Sequence, residues 1–355
     1  MIWKSLGLYA WGISFCDGWD ARGNVFLPKI AFACGNSYSS RMNRNITVEL
    51  VDAFTSTPGK GNRAGVVLDA TGLSEAEMQA VAALVNVSET AFMIPTPEAA
   101  DHELHIRYFT PTTEVPTCGH ATVGAHHARA RALGLADVTV FAKIGAGILP
   151  VDIVGSGEDM KVVMTQGEVV FSPPYGREMV DRILAALGLE AADLLPDLPV
   201  QEVSTGHSKV MVPIRSEDKL DSLTPDMAAL VECSRAIRCN GFFVFTLNGP
   251  DAQNLTSGRM FAPAIGIDED PVTGNGNGPC GAYLSLYGKL PAQDTFRYCG
   301  RQGVAMGREG IIEVTVHRRN GRPYKVQIGG VAVGSGRMDV LLMTSPEGAV
   351  TATKV

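Results

Sequence analysis

Three short stretches of this chain carry side chains able to move a proton. Cys118-Gly119-His120 stands where a loop turns into a helix. A cysteine at a helix N-terminus is expected to have a lowered pKa and to serve as nucleophile or base. A histidine in that place can polarise a carbonyl or carry a proton, and Gly119 lets backbone approach a ligand closely. The competing reading is a helix start whose small residues serve packing. The second stretch is Asp270-Pro271-Val272-Thr273-Gly274-Asn275-Gly276-Asn277-Gly278. Its glycines and asparagines, set before a helix, can turn several N–H groups into one concavity suited to a carboxylate or phosphate. It is no Walker loop, because no Gly-Lys-Ser/Thr follows, and it lacks Rossmann spacing. Asp268 and Glu269 precede Asp270, so a solvated acidic loop is the plain alternative. The third stretch is Glu89, between Ser88 and Thr90 and just before the apolar run Ala91-Phe92-Met93-Ile94. A carboxylate drawn toward a core edge has a raised pKa, which suits proton transfer near neutral pH. Otherwise it is a surface residue ahead of a strand.

The elements that position these residues occur twice. Arg107-Tyr108-Phe109-Thr110-Pro111 is followed five residues later by Pro116-Thr117-Cys118-Gly119-His120. Arg259-Met260-Phe261-Ala262-Pro263 is followed eight residues later by Pro271-Val272-Thr273-Gly274-Asn275. Each passage reads as strand, loop and glycine-rich helix start. A duplicated lobe leaves a cleft between its copies, and two helix N-termini facing that cleft make a site for a small anion. Upstream of the first passage, strands are expected at 46–54, 64–68 and 91–94, with a helix capped by Ser74 and closed by Glu77. Downstream come a helix over 121–133 and strands at 138–142, 148–154 and 161–165. A bridge over 155–200 carries an amphipathic helix at 177–187. The second copy then offers strands at 200–204, 210–214 and 242–247, with helices over 224–236 and 278–286. Arg319-Asn320-Gly321-Arg322 predicts a hairpin. Late strands are expected at 330–334 and 339–343, with a loose tail from Ser345. This strand-rich mixed order favours α+β over a doubly wound parallel sheet.

Composition excludes several classes. Of 355 residues, 45% are hydrophobic and 19% charged, ordinary for a soluble globular protein. The length predicts two domains. A formal net charge of −7, with no basic run, argues against nucleic acid as a partner. Seven scattered cysteines without a CxxC pair fit reduced thiols in the cytoplasm better than a disulfide framework. His102, His105, His207 and His317 have no ligand spacing, so no metal is expected; His126 and His127 read as packing or surface residues. No apolar stretch reaches the roughly 18 residues that span a bilayer. Residues 1–41 show neither strand nor helix period. Leu6 to Cys16 is apolar after Lys4, yet small residues before a cleavage site are missing, as Phe15 directly precedes Cys16. The expectation is an extension outside the fold, with the natural chain starting at Met42. The lobes are then expected at 42–160 and 161–343, the last strands returning to the first lobe, with 344–355 as the tail.

Asp52-Ala53-Phe54-Thr55, Gly61-Asn62, Ser88-Glu89-Thr90-Ala91-Phe92, Arg107 to Pro111, Glu114 to Thr122 and Asp270 to Gly274 together resemble the PhzF-like isomerases of phenazine biosynthesis, within their YddE-type branch. The resemblance spans about residues 46–343. It implies the diaminopimelate-epimerase fold, two similar lobes each with a sheet wrapped around a central helix, and a homodimer. It implies that Glu89 is general base and acid, with His120 and Asp270 as further catalytic residues. Backbone around Gly119 and Gly274 helps bind substrate, and Cys118, Asn275 and Gly276 join that binding set. The phenazine enzyme has a serine where this chain has Asn275, so the phenazine substrate itself is not implied. Epimerases of this fold use two thiols, one per lobe. Here Cys118 aligns with Thr273 and His120 with Asn275, so the second thiol is missing.

The chain therefore reads as a cofactor-independent isomerase acting on a small anionic, carboxylate-bearing metabolite. Two alternatives stay open at this point. Cys118 could be the base of an epimerase or racemase of an amino or hydroxy acid, or the cleft could bind a small carboxylate without turnover.

Overall fold

Residues 43–97, 101–248, 252–345 and 349–355 are described by a computed structural model. The expected extension at 1–41 and the start at Met42 lie outside the described residues. Within the described part, one sequence of strand pairings is made twice. In the first copy Asn43–Ala53 pairs antiparallel with Asn62–Val67. The helix Glu75–Val85 then crosses over, and Glu89–Pro95 returns parallel to Asn62–Val67. Leu104–Phe109 follows antiparallel and Val138–Ile144 parallel to it. Gly147–Val154 and Lys161–Thr165 complete the run, both antiparallel. In the second copy Gln201–Thr205, Ser208–Pro213, Phe242–Leu247, Thr256–Ala262, Thr295–Gln302, Gly310–Arg319 and Arg322–Thr344 pair in the same order and the same senses.

Local chemistry accounts for most of these elements. Ser74 and Glu77 form the expected capping box at Glu75–Val85, and Met78, Val81, Ala82 and Val85 are its buried stripe. Arg177–Leu187 ends where Gly188 takes a left-handed φ of 71°. Asn320 and Gly321, at φ 52° and 75°, make the turn predicted between Gly310–Arg319 and Arg322–Thr344.

Each copy wraps around one central helix, Gly119–Leu133 in the first and Gly274–Leu286 in the second. Both are buried on all sides: every residue from His120 to His127 and from Gly276 to Ser285 is buried. A helix enclosed in this way shows no polar stripe, and close packing demands small residues. A methyl added at Gly124 would touch Val51 and Ala64 at 3.5 Å. His126 and His127 are therefore packing residues, and among the described residues their ring nitrogens have no hydrogen-bond partner.

The strand Arg322–Thr344 joins the copies. Its first part pairs with Gly310–Arg319, its middle with Lys161–Thr165, and its last part with Asn43–Ala53. The sequence reading split this strand at Gly334–Ser335–Gly336, but there it follows Asn43–Ala53 through a register shift at Leu50 and Val51. The tail expected to be loose also differs: Val350–Lys354 adds antiparallel to Val340–Thr344 and covers its edge. The second central helix begins at Gly274, four residues earlier than expected from Pro279 and the glycines. Gly276 and Asn277 donate their N–H groups to Thr273 O at 3.1 and 3.0 Å, so the glycine-asparagine run forms a first helical turn.

Candidate active site

The two central helices meet end to end. Cys118 is the N-cap of the first and Thr273 the N-cap of the second, so Gly119 and Gly274 are their first residues. The alignment of Cys118 with Thr273 and of His120 with Asn275 is thus realised in space. A Cβ on Gly119 would lie 3.7 Å from Gly274 Cα, and one on Gly274 would lie 2.6 Å from Ile328 Cδ1. A side chain at 274 would have to displace Ile328, whereas one at 119 would meet its neighbours at ordinary contact distance. First-turn amides have no carbonyl within their own helix to bond, so both ends present N–H groups and positive dipole ends to one place.

Glu89 reaches that place from the strand paired to Asn62–Val67. Its side chain is 12% exposed, and Oε2 lies 3.3 Å from His120 Nε2. Oε2 makes no aligned hydrogen bond among the described residues. Burial pushes the Glu89 carboxyl above its usual range, opposed by hydrogen bonds from Ser88 and Cys118.

His120 is held on its other side. Asn62 Nδ2 lies 3.2 Å from Nδ1 and also donates to Asp270 Oδ1 at 2.7 Å and Val272 O at 3.0 Å. The two N–H bonds of the Asn62 amide are directed at Asp270 and Val272, and the ring's Nε2 faces Glu89 Oε2 and Ser88 Oγ, the latter at 3.2 Å. Burial lowers the pKa of His120 to about 4, despite the attraction of Asp270, so the ring is neutral near pH 7.

Asp270 is half-buried beneath these groups. Its Oδ2 accepts from Thr273 Oγ1, and burial raises its pKa against the charge of His120 and these bonds. Gln302 fixes the segment: its Nε2 donates to Asp270 O at 2.7 Å, and its Oε1 accepts from Thr273 N at 3.0 Å. Gln166 Nε2 donates to Gly274 O at 3.1 Å.

One cavity of about 830 Å³ is lined by Glu89, Cys118, Gly119, His120, Asp270, Gly274 and Asn275. That volume suits a small-molecule site. A smaller cavity of about 350 Å³, lined by Phe54, Lys60, Glu309 and Val331 among others, contains none of these residues.

Two expectations change here. Gly276 is not brought to the cavity: its N–H is taken by Thr273 O, and a Cβ there would meet the Phe243 ring at 2.6 Å. The concavity is therefore narrower than the glycine-asparagine run suggested. Nor is the Cys118 thiol acidic. Burial, reinforced by the nearby Glu89 charge, raises its pKa well above normal and overrides the helix end. Cys280 is a buried thiol on the second helix and is likewise pushed up by burial. The donor atoms of Glu89, Cys118 and His120 lie within 4.8 Å of one another. No sequence spacing reveals that cluster, because Glu89 comes from a separate strand. Asn62, Gln166, Thr273 and Gln302 were missed as site residues; Asn62 had a signal in the Gly61-Asn62 turn and Thr273 in the Asp270–Gly278 stretch, while Gln166 and Gln302 had none.

The family model for phenazine biosynthesis-like proteins (PhzC-PhzF) matches residues 51–336. The chain belongs to that family. This PhzC-PhzF member is 50% identical over 284 residues to the uncharacterized isomerase YddE of Escherichia coli, covering 80% of this chain and 94% of YddE. It is 28% identical over 296 residues to the trans-2,3-dihydro-3-hydroxyanthranilate isomerase of Pseudomonas chlororaphis, covering 82% and 98% of the two chains. Among solved structures, a Bacillus anthracis phenazine biosynthesis protein of the PhzF family superposes with TM-score 0.75 at 33% identity, over 84% of this chain and 99% of that one. A hydroxyproline epimerase from Agrobacterium vitis shares the fold, with TM-score 0.56 at 13% identity over 87% and 94%. The PhzC-PhzF chain is thus an isomerase of α+β, epimerase-like fold. Among its described residues no helix is long and apolar enough to cross a membrane.

Proposed function

We propose that this isomerase moves a carbon-bound proton on a small carboxylate-bearing metabolite without a cofactor. Glu89 removes the proton and returns it at another carbon of a conjugated system. The carboxylate of the metabolite rests on the amides of Gly119, His120, Gly274 and Asn275. His120, neutral, positions the substrate and, with its proton on Nε2, steadies developing negative charge, and Asp270 orients the Asn62 amide that packs beside the ring.

The observation that carries this reading is the buried Glu89 carboxylate, with Oε2 unpaired by hydrogen bonding and 3.3 Å from His120 Nε2. Buried polar atoms are nearly always bonded, so one left unbonded calls for an explanation. A base whose pKa is raised by burial takes a proton from carbon more readily than a solvated carboxylate does. Preorganised dipoles aimed at the developing charge supply the remaining stabilisation.

The one-thiol epimerase is the weaker reading. A thiol whose pKa is raised by burial and by Glu89 is a poor base near pH 7.

The test is hydrogen exchange. In deuterated water, with a panel of small unsaturated and amino acids, mass spectrometry should show deuterium entering at carbon. Glu89→Gln should slow that exchange by about 10²–10⁴-fold, with the fold intact by circular dichroism. Full exchange in the variant removes Glu89 from the mechanism. Binding without exchange across the whole panel supports a non-catalytic carboxylate binder instead.

A further inference from the structure

Five acidic or basic side chains of the Asp, Glu, Lys and Arg types are buried among the described residues: Asp52, Glu77, Glu89, Lys209 and Arg259. Four of them face an opposite charge or a histidine. Asp52 pairs with Arg63 at 2.7 Å, Glu77 with Arg44 at 3.7 Å, Glu89 with His120 at 3.3 Å and Arg259 with Glu269 at 2.7 Å. Lys209 is 4% exposed and has no carboxylate within 4 Å among the described residues. Its Nζ is held only by neutral acceptors: His207 Nδ1 at 2.7 Å, Ser208 O at 2.9 Å and, more loosely, Asn240 Oδ1 at 3.4 Å. Gly241 makes room for the stem, since a Cβ there would lie 2.6 Å from Lys209 Cδ.

Burying an ammonium without a counter-charge is unfavourable. Folding alone gives no reason for a lysine here, because a methionine would fill the same space. The surroundings give one. Lys209, His207 and Asn240 line the same 830 Å³ cavity as Glu89, His120 and the two helix ends, and they belong to the second copy. We propose that Lys209 is the anchor for a second anionic group, so that the substrate class is a small dicarboxylate rather than a monoacid. One carboxylate sits on the amides at Gly119 and Gly274. The other meets Lys209 Nζ, displacing the long contact to Asn240. The proton-bearing carbon lies between them, within reach of Glu89. Burial also lowers the Lys209 pKa to about 8, against the weaker attraction of Cys239, Asp270 and Glu202, none of which forms an ion pair with it.

This inference rests on the carboxylate-binding cleft proposed above, and its test reads binding rather than turnover. Succinate, glutarate, aspartate and glutamate are titrated against their monoamides succinamate, glutaramate, asparagine and glutamine by calorimetry at pH 7. On the wild-type protein at least one diacid should bind about 10–100-fold more tightly than its monoamide, the range of a charge-assisted hydrogen bond. Lys209→Met and Lys209→Gln should bring that ratio close to one, with diacid binding falling far more than monoamide binding. Their melting temperatures should match or exceed the wild type, which a purely structural lysine would not allow. No diacid preference on the wild-type protein, or an unchanged preference in both variants, overturns the assignment. If only this inference fails, Glu89-dependent deuterium exchange persists with monoacids. If only the isomerase reading fails, diacid preference persists without exchange.

Discussion

Asn62 Nδ2 donates to Asp270 Oδ1 at 2.7 Å, a bond between residues 208 positions apart and from different copies of the repeat. The same amide nitrogen lies 3.2 Å from His120 Nδ1. One side chain thereby packs against the imidazole and binds a half-buried carboxylate. Asn62→Ala leaves the carboxylate without that donor and the ring without that neighbour. Its unfolding free energy in urea should fall by about 1–3 kcal/mol, the usual penalty for an unsatisfied buried group. Turnover should fall more than substrate affinity, because the ring loses its fixed orientation. Unchanged stability and unchanged turnover would together show that the bond positions nothing.

The pH dependence of exchange follows from the raised Glu89 pKa. A base works in its deprotonated form, so kcat/KM should rise with pH through an apparent pKa above the ordinary carboxylate value of 4.5. His120, with a pKa of about 4, is already neutral across that limb and should not shape it. His120→Gln should therefore lower the rate yet leave the limb in place. A limb that vanishes in this variant would assign it to the imidazole.

Cys118→Ser tests the thiol directly. Its sulfur lies 3.4 Å from His120 Nδ1, close enough to matter sterically. Because burial keeps the thiol protonated, exchange in the variant should stay within about tenfold of wild type, less than the loss of a general base. A loss of a thousandfold would restore the cysteine-based epimerase.

His126 offers a stability prediction with a definite sign. It is 1% exposed, and burial lowers its pKa to about 3 from 6.5. Between those values the unfolded chain binds a proton that the folded one does not. Stability should therefore fall as pH drops from 6.5 toward 3. Going from pH 7 to pH 5, His126 alone should account for about 2 kcal/mol of that fall. His126→Leu should flatten the urea-midpoint profile by this amount, and parallel profiles would refute it.

Much of the fold was legible in sequence because it is dictated locally. Ser74 and Glu77, Gly188, and Asn320-Gly321 act over a few residues through caps and turns. What misled was also local. The glycine-asparagine run reads as a loop ahead of a helix over 278–286. Thr273, held by Gln302 from another strand, starts the helix at Gly274 instead. Separate strands are expected at 330–334 and 339–343, where long-range pairing to Asn43–Ala53 carries one strand through.

Taken alone, the order of residues determined the duplication, the α+β class and the three stretches that supply Glu89, His120 and Asp270. Those are matters of residue type and spacing along one chain. Tertiary structure decided which amides remain free, that Gly276 turns away toward Phe243, and that the Cys118 thiol is made less acidic instead of more. It also brought Lys209 to the cleft without a carboxylate in contact with it. The reason is that burial and dielectric surroundings are properties of what packs against a group. Those neighbours arrive from other strands, tens to hundreds of residues away along the chain.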